Sequence, residues 1–170
     1  MTVHQMPSEL EASFKTAMRR LTAAVNIITT SEGLVRHGMA ATAVTSVSTT
    51  PPAALVCVNN SASIHGPIIR TNRFCINVLA CDHLDLVPLF SGKTKGEDRF
   101  RFGHWEADEH GLPLLVGAQA NLSARVEQTF AYATHSIFIG RVETIKTTGD
   151  VEPLLYQDGR LCRAGSLRAS

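Results

Sequence analysis

The 170-residue sequence has no apolar run near the roughly 18 residues that carry a helix across a bilayer, so no membrane span is expected. Its first residues, MTVHQMPSELEASF, hold neither a basic nor an apolar stretch, and no signal peptide is read there. Neither sign of charge dominates: 16 Lys and Arg against 15 Asp and Glu leave a net charge of +1. That balance excludes the broad positive field of a nucleic-acid-binding or anionic-membrane-binding surface. The four cysteines, Cys57, Cys75, Cys81 and Cys162, form no C-x-x-C pair, and no cysteine–histidine spacing fits a zinc finger. Three of them lie in or beside apolar, β-rich segments, so they read as buried free thiols of a cytoplasmic protein. Glycine fingerprints are missing too. No G-x-G-x-x-G occurs, which disfavours a Rossmann dinucleotide domain. Ser91-Gly92-Lys93-Thr94 imitates the end of a Walker A loop, but Val87 stands where its first glycine belongs. There is no G-x-S-x-G elbow and no H-E-x-x-H. The seven histidines are scattered, His104 and His110 share a loop without a third ligand of recognised spacing, and no metal site is expected.

What the chain does have is material for a core. Hydrophobic residues make up 44% and charged residues 18%, outside the range of disordered chains. The length points to one domain over residues 1–170. A chain of this mass buries about two-thirds of its surface. The spacing of Leu10, Phe14, Ala17, Met18 and Leu21 predicts a helix over 8–21, opened by a Ser8 and Glu11 capping box. Extended segments follow at 25–30, 35–48, 53–58, 74–79, 119–127 and 136–147. Pro51 and Pro52 stop the second of these. AALVCV at 53–58 is apolar without alternation and predicts a strand buried on both faces. Ser61 or Ser63 is placed to cap a short helix carrying Ile64, Ile68 and Ile69. A helix-like stretch is read at 82–90, a long loop at 91–111 and a tight turn at Asp158-Gly159. About seven strands without a repeating βαβ rhythm predict a mainly β fold, closed or sandwich-like, with flanking helices.

The unusual segment is HGMAATAVTSVSTTPP at 37–52, with hydroxyls at Thr42, Thr45, Ser46, Ser48, Thr49 and Thr50. Two readings stand side by side. One is an edge strand whose polar face runs into a turn. The other is a ligand slot: Ala40, Ala41 and Ala43 are small enough for backbone amides to reach the rim of a flat heteroaromatic ring, and the hydroxyls supply donors. A ligand phosphate would want a basic side chain, for which Arg99, Lys93 and Lys95 are candidates.

Several segments, taken in order, resemble the short-chain flavin reductase family. They are FKTAMRRL at 14–21 leading to VNIITT at 25–30, then Gly38-Met39 followed by TSVS at 45–48 and Pro51-Pro52. FCINVL at 74–79, Asp98-Arg99-Phe100, GLPLL at 111–115 and HSIFIGRV at 135–142 continue the series. The resemblance covers about 14–156. It implies an FMN-binding split β-barrel of Greek-key type, with the flavin in a groove at a homodimer interface. It lays Ala40, Ala41, Thr42, Ala43, Ser46, Val47 and Ser48 along the flavin. Cys57, Val58, Asn59 and Ser63 come near its ring or ribityl chain, and Arg99 with Phe100 near its phosphate. His135 matches the family histidine that meets the nicotinamide amide. The chain departs from the pattern at Thr42 and Ala43, where Asn and Ser are common. It departs again at Ala133-Thr134, where the family has Gly-Asp, and at Leu161, where a tyrosine is frequent.

The activity implied by the resemblance is NAD(P)H-dependent flavin reduction. Hydride passes from nicotinamide C4 to flavin N5, with no Rossmann domain and no side-chain acid or base. FMN is the expected flavin, with FAD as the variant, and NADH or NADPH is the donor. The implied partners are a second copy of the chain and a two-component monooxygenase that takes the reduced flavin. An alternative is an FMN-bound reductase of a corrinoid, of the cob(II)yrinate a,c-diamide reductase kind. A non-catalytic split-barrel module holding flavin or haem is a third reading.

Overall fold

The computed structural model describes residues 7–165. Helix α1 covers Pro7–Met18, so Ser8 lies inside its first turn and is not its cap. Proline suits that turn, because its missing N–H has no intrahelical partner anyway. The helix ends at Met18 because the next bonds, Arg20 N to Ala17 O and Leu21 N to Met18 O, tighten to three-residue spacing. Strands β1 (Ala23–Ala24), β2 (Asn26–Glu32), β3 (Val35–Ala41), β4 (Val44–Thr49) and β5 (Pro52–Asn59) follow, then α2 (His65–Thr71) and β6 (Arg73–Val78). Residues 81–118 hold short helical turns, including α3 (Leu86–Pro88) and a 3-10 turn at Gly96–Arg101. They also hold β7 (Trp105–Ala107) and β8 (Pro113–Leu115). The long hairpin of β9 (Ala120–Tyr132) and β10 (His135–Thr147) and the small hairpin of β11 (Leu155–Gln157) and β12 (Arg160–Cys162) complete the chain. Asp158 and Gly159 both take positive φ in that last turn, as the Asp-Gly pair predicts.

Seven strands form one antiparallel sheet in the order β3-β2-β6-β9-β10-β5-β4. Its two edges, β3 and β4, are neighbours in the chain, joined only by Thr42 and Ala43. Laid flat, six strand spacings would part the edges by roughly 29 Å. The joining residues span at most about 11 Å. The sheet therefore curls on itself into a barrel with a seam between β3 and β4.

Inside the barrel pack Ile28, Val56, Val58, Phe74, Ile76, Ala124 and Phe138, closed by Ile64 and Ile68 around α2. Gly140 faces this core because a Cβ there would stand 2.7 Å from the Phe74 ring. A second core lies outside the β2–β3 face, where Val25, Ile27, Leu79, Phe90, Phe100 and Leu115 pack under residues 81–118. Strand β2 is thus buried on both sides. β5 is not: Ala54, Val56 and Val58 are buried, while Ala53, Leu55, Cys57 and Asn59 on its outer face are only half-buried. The expected double burial fails because no described segment covers that face. The four cysteines are free. Among the described residues, no helix is long and apolar enough to cross a membrane.

Candidate functional site at the barrel seam

The hydroxyl-rich segment is not one strand. It breaks at Thr42 and Ala43, where Val44 N donates to Thr42 O at 3.0 Å and Cys57 N donates to Ala43 O at 3.0 Å. The link is thereby stitched to β5, and the expected flavin contacts fall into two groups. Ala40, Ala41 and Thr42 line a hollow of about 290 Å³ walled by Val25, Val87, Ser91, Tyr156 and Leu161. Ser46 and Ser48 line a second hollow of about 360 Å³ with apolar walls from β5, β9 and β10. Val47 sits at the register shift between Ser46 and Ser48 and is 48% exposed.

On β5, Val58 points into the barrel core, so only its backbone faces the surface, whereas Cys57 and Asn59 lie on the outer face. Asn59 Oδ1 accepts from Ser61 N at 2.9 Å and Ser61 Oγ at 2.8 Å, which folds the turn over 59–63. Neither Ser61 nor Ser63 caps α2; its cap residue is Ile64, with no side-chain bond. Ser63 stands exposed on that turn.

His135 opens β10 directly across from Asn59 of β5 and Tyr132 of β9. Its Nδ1 shares a 2.9 Å hydrogen bond with Thr134 Oγ1. Alternation along β10 sends His135 to the outer face and Ser136 inward. Ser136 Oγ lies 2.8 Å from His65 Nε2 and donates to Asn60 Oδ1 at 3.0 Å. His65 and Ser136 are absent from the sequence-based expectation, and Asn60 entered it only as part of the stretch 57–63. Asn60 and His65 lie five residues apart, but Ser136 is more than 70 residues away, and only the pairing of β10 with β5 brings it to them.

Arg99 and Phe100 belong to the 3-10 turn that straps over β3. Arg99 is 7% exposed, and its Nε donates to Gly96 O at 3.1 Å while Nη1 donates to Gly38 O. It makes no ion pair among the described residues, and burial lowers its pKa from the usual guanidinium value. Phe100 is 4% exposed and packs edge-on to Phe90 and Trp105, with the Arg36 guanidinium 4.7 Å from its ring centre. It is thus part of the second core and lines neither hollow. Arg36 also ties the strap down through Nε and Nη2, at 2.9 and 2.8 Å from Glu97 Oε2. Burial works to raise the Glu97 pKa, but the Arg36 hydrogen bonds outweigh it and hold the carboxyl below its ordinary value. Lys93 and Lys95 are exposed.

A seven-stranded antiparallel barrel with an open seam, strapped by short helical turns, defines the split-barrel class. Residues 18–165 match the family described as the flavin reductase like domain, and the chain belongs to that family. It is 40% identical over 160 residues to the reductase component of the FADH2-dependent resorcinol hydroxylase of Rhizobium sp. strain MTP-10005, covering 93% of this chain and 89% of that protein. It is 40% identical over 162 residues to the FMN reductase (NADH) RutF of Variovorax paradoxus, covering 92% and 90%. The solved NADH:FAD oxidoreductase SgcE6 of Streptomyces globisporus C-1027 superposes with a TM-score of 0.87 at 25% identity, covering 99% of this chain and 96% of that one.

Proposed function

We propose that this chain is an NADH-dependent flavin reductase that supplies reduced flavin to a separate oxygenase, with FMN as its flavin. The observation that carries the reading is the convergence at the seam. The β3–β4 link, the end of β5 and His135 meet there through the Ala43–Cys57 bond and the Asn59–His135 register, in a chain of the flavin reductase family. The relatives' names support the donor and the partner: one is an FMN reductase using NADH, another the reductase component of a hydroxylase.

The residues fit a flavin. Ala40 and Ala41 give a low floor and Thr42 and Ser91 give hydroxyls; Arg99, which lines neither hollow, is a buried cation with no ion pair among the described residues, whose charge a ligand phosphate would offset. In this reading Ala40, Ala41, Thr42 and Ala43 back the ring, and Ser46, Val47 and Ser48 continue its contact surface. Cys57, the Val58 backbone, Asn59 and Ser63 follow the ribityl chain, while Arg99 serves the phosphate and Phe100 holds the strap. When bound, the flavin would supply the two-electron acceptor for the hydride of the nicotinamide. The protein aligns the two rings and excludes water; His135 orients the nicotinamide amide and need not exchange a proton.

A hollow of about 290 Å³ lies just below the roughly 300–1,000 Å³ of ligand pockets, too small for two stacked rings. A second copy of the chain completes the groove in this proposal. The half-buried Leu55, Cys57, Ile137 and Ile139 form an apolar band on the outer face of β5 and β10, continued by Phe130 at 51% exposure. Four free thiols support a reducing, cytoplasmic setting.

The test is anaerobic NADH oxidation by the purified protein with added FMN, FAD or riboflavin. Hyperbolic dependence of turnover on free FMN is the expected result. No oxidation with any flavin would leave a non-catalytic binding module, and turnover that keeps its flavin and requires an added corrinoid would replace the oxygenase-linked reading.

A further inference from the structure

We propose that Asn60, Ser136 and His65 form a clamp that sets the position of His135 against the flavin-side turn, making them positioning residues for the nicotinamide step. The inference rests on the flavin reductase reading above. Two turns meet at this point. One runs over 59–63 from the end of β5; the other, Ala133 and Thr134, joins β9 to β10, with Ala133 at a φ of 48°. Asn60 bridges them: its N donates to Thr134 O at 2.9 Å, and its Oδ1 accepts from Ser136 Oγ at 3.0 Å.

The proton count then assigns His65. A serine hydroxyl carries one hydrogen, and that of Ser136 is given to Asn60 Oδ1. The 2.8 Å contact between Ser136 Oγ and His65 Nε2 must therefore be donated by the histidine. His65 is a donor to this serine, not a base that could activate it. Its ring is held in place by packing on Phe138, 5.6 Å between centres, and Phe138 is fully buried. The chain of bonds thus runs from the barrel core through His65 and Ser136 to Asn60. Because successive residues of a strand face opposite sides, an inward anchor at Ser136 fixes the outward direction of His135. Thr134, whose carbonyl Asn60 holds, places its own hydroxyl 2.9 Å from His135 Nδ1.

The experiment compares wild type with Ser136→Ala, His65→Leu and His65→Gln in anaerobic stopped-flow reduction, with flavin affinity and thermal midpoint measured on the same samples. Gln at 65 retains a donor near the Nε2 position; Leu does not. Ser136→Ala and His65→Leu are expected to lower kcat/KM for NADH about tenfold while flavin Kd changes less than about twofold, and His65→Gln to restore most of the loss. Equal loss of flavin and NADH binding in step with the thermal midpoint would reduce the clamp to a structural prop and overturn the proposal. So would unchanged NADH kinetics in both disabling variants, or a Gln variant as impaired as the Leu variant. A wild-type protein that reduces no flavin would instead overturn the functional reading itself.

Discussion

His135 is the side chain on which the nicotinamide half of the proposed site depends. Its replacement by alanine is expected to lower kcat/KM for NADH by about tenfold to hundredfold, the effect of one lost positioning hydrogen bond. Unchanged steady-state kinetics would remove it from the site. Gly38 carries a different constraint. A Cβ there would stand 2.7 Å from the Phe90 ring and 3.2 Å from Phe100 of the strap, and both rings are packed in the second core. Gly38→Ala is expected to destabilise the fold by about 1–3 kcal/mol in denaturant unfolding, through overpacking rather than backbone strain. Cys75 is fully buried, and burial pushes its thiol pKa up to about 12. Thiol titration of the native protein is therefore expected to leave Cys75 unmodified, and to reach it only after denaturant is added.

At the scale of elements, the sequence-based expectation succeeds where a period of two is uninterrupted. Leu122, Ala124 and Val126 face the barrel as their alternation requires. It fails at Thr42 and Ala43, because the residues on either side continue an extended pattern and the reversal comes from a bond between Cys57 N and Ala43 O. Arg99 is the same kind of case: its partners are carbonyls of Gly38 and Gly96, and main-chain groups leave no trace in residue type. An electrostatic element was equally hidden. Arg73, Arg125 and Arg141 lie side by side in register on β6, β9 and β10, an arrangement of like charges that disfavours pairing. Glu143 offsets it, bonded to Arg73 and 3.2 Å from Arg125 Nε. The Arg73 hydrogen bond is the main reason its carboxyl sits below the ordinary glutamate range. A lowered folded-state pKa adds stability that is complete above the unfolded value, about 4.3, and is lost as pH falls through the folded one. Glu143→Gln is therefore expected to lower the urea midpoint more at pH 7 than at pH 3. An equal difference at both pH values would refute the ion-pair account.

For the whole molecule, the proposed dimer would cover the apolar outer face of β5 and β10; helix α1 also exposes Leu10, Phe14 and Met18. Ile139→Lys, placed opposite Leu55 in that face, is expected to convert the particle measured by light scattering from dimer to monomer and to lower flavin turnover with it. A wild-type monomer with full activity would show that one copy suffices. The barrel edges β3 and β4 are tied to each other in the chain by two residues alone. Thr42 belongs both to the link that latches the barrel and, with Ala40 and Ala41, to the lining of the neighbouring hollow, so parting the edges rearranges that lining. With flavin in that hollow, as proposed, ligand occupancy and amide-proton exchange on both flanking strands are expected to be coupled, and saturation with flavin to slow exchange on β3 and β4 together.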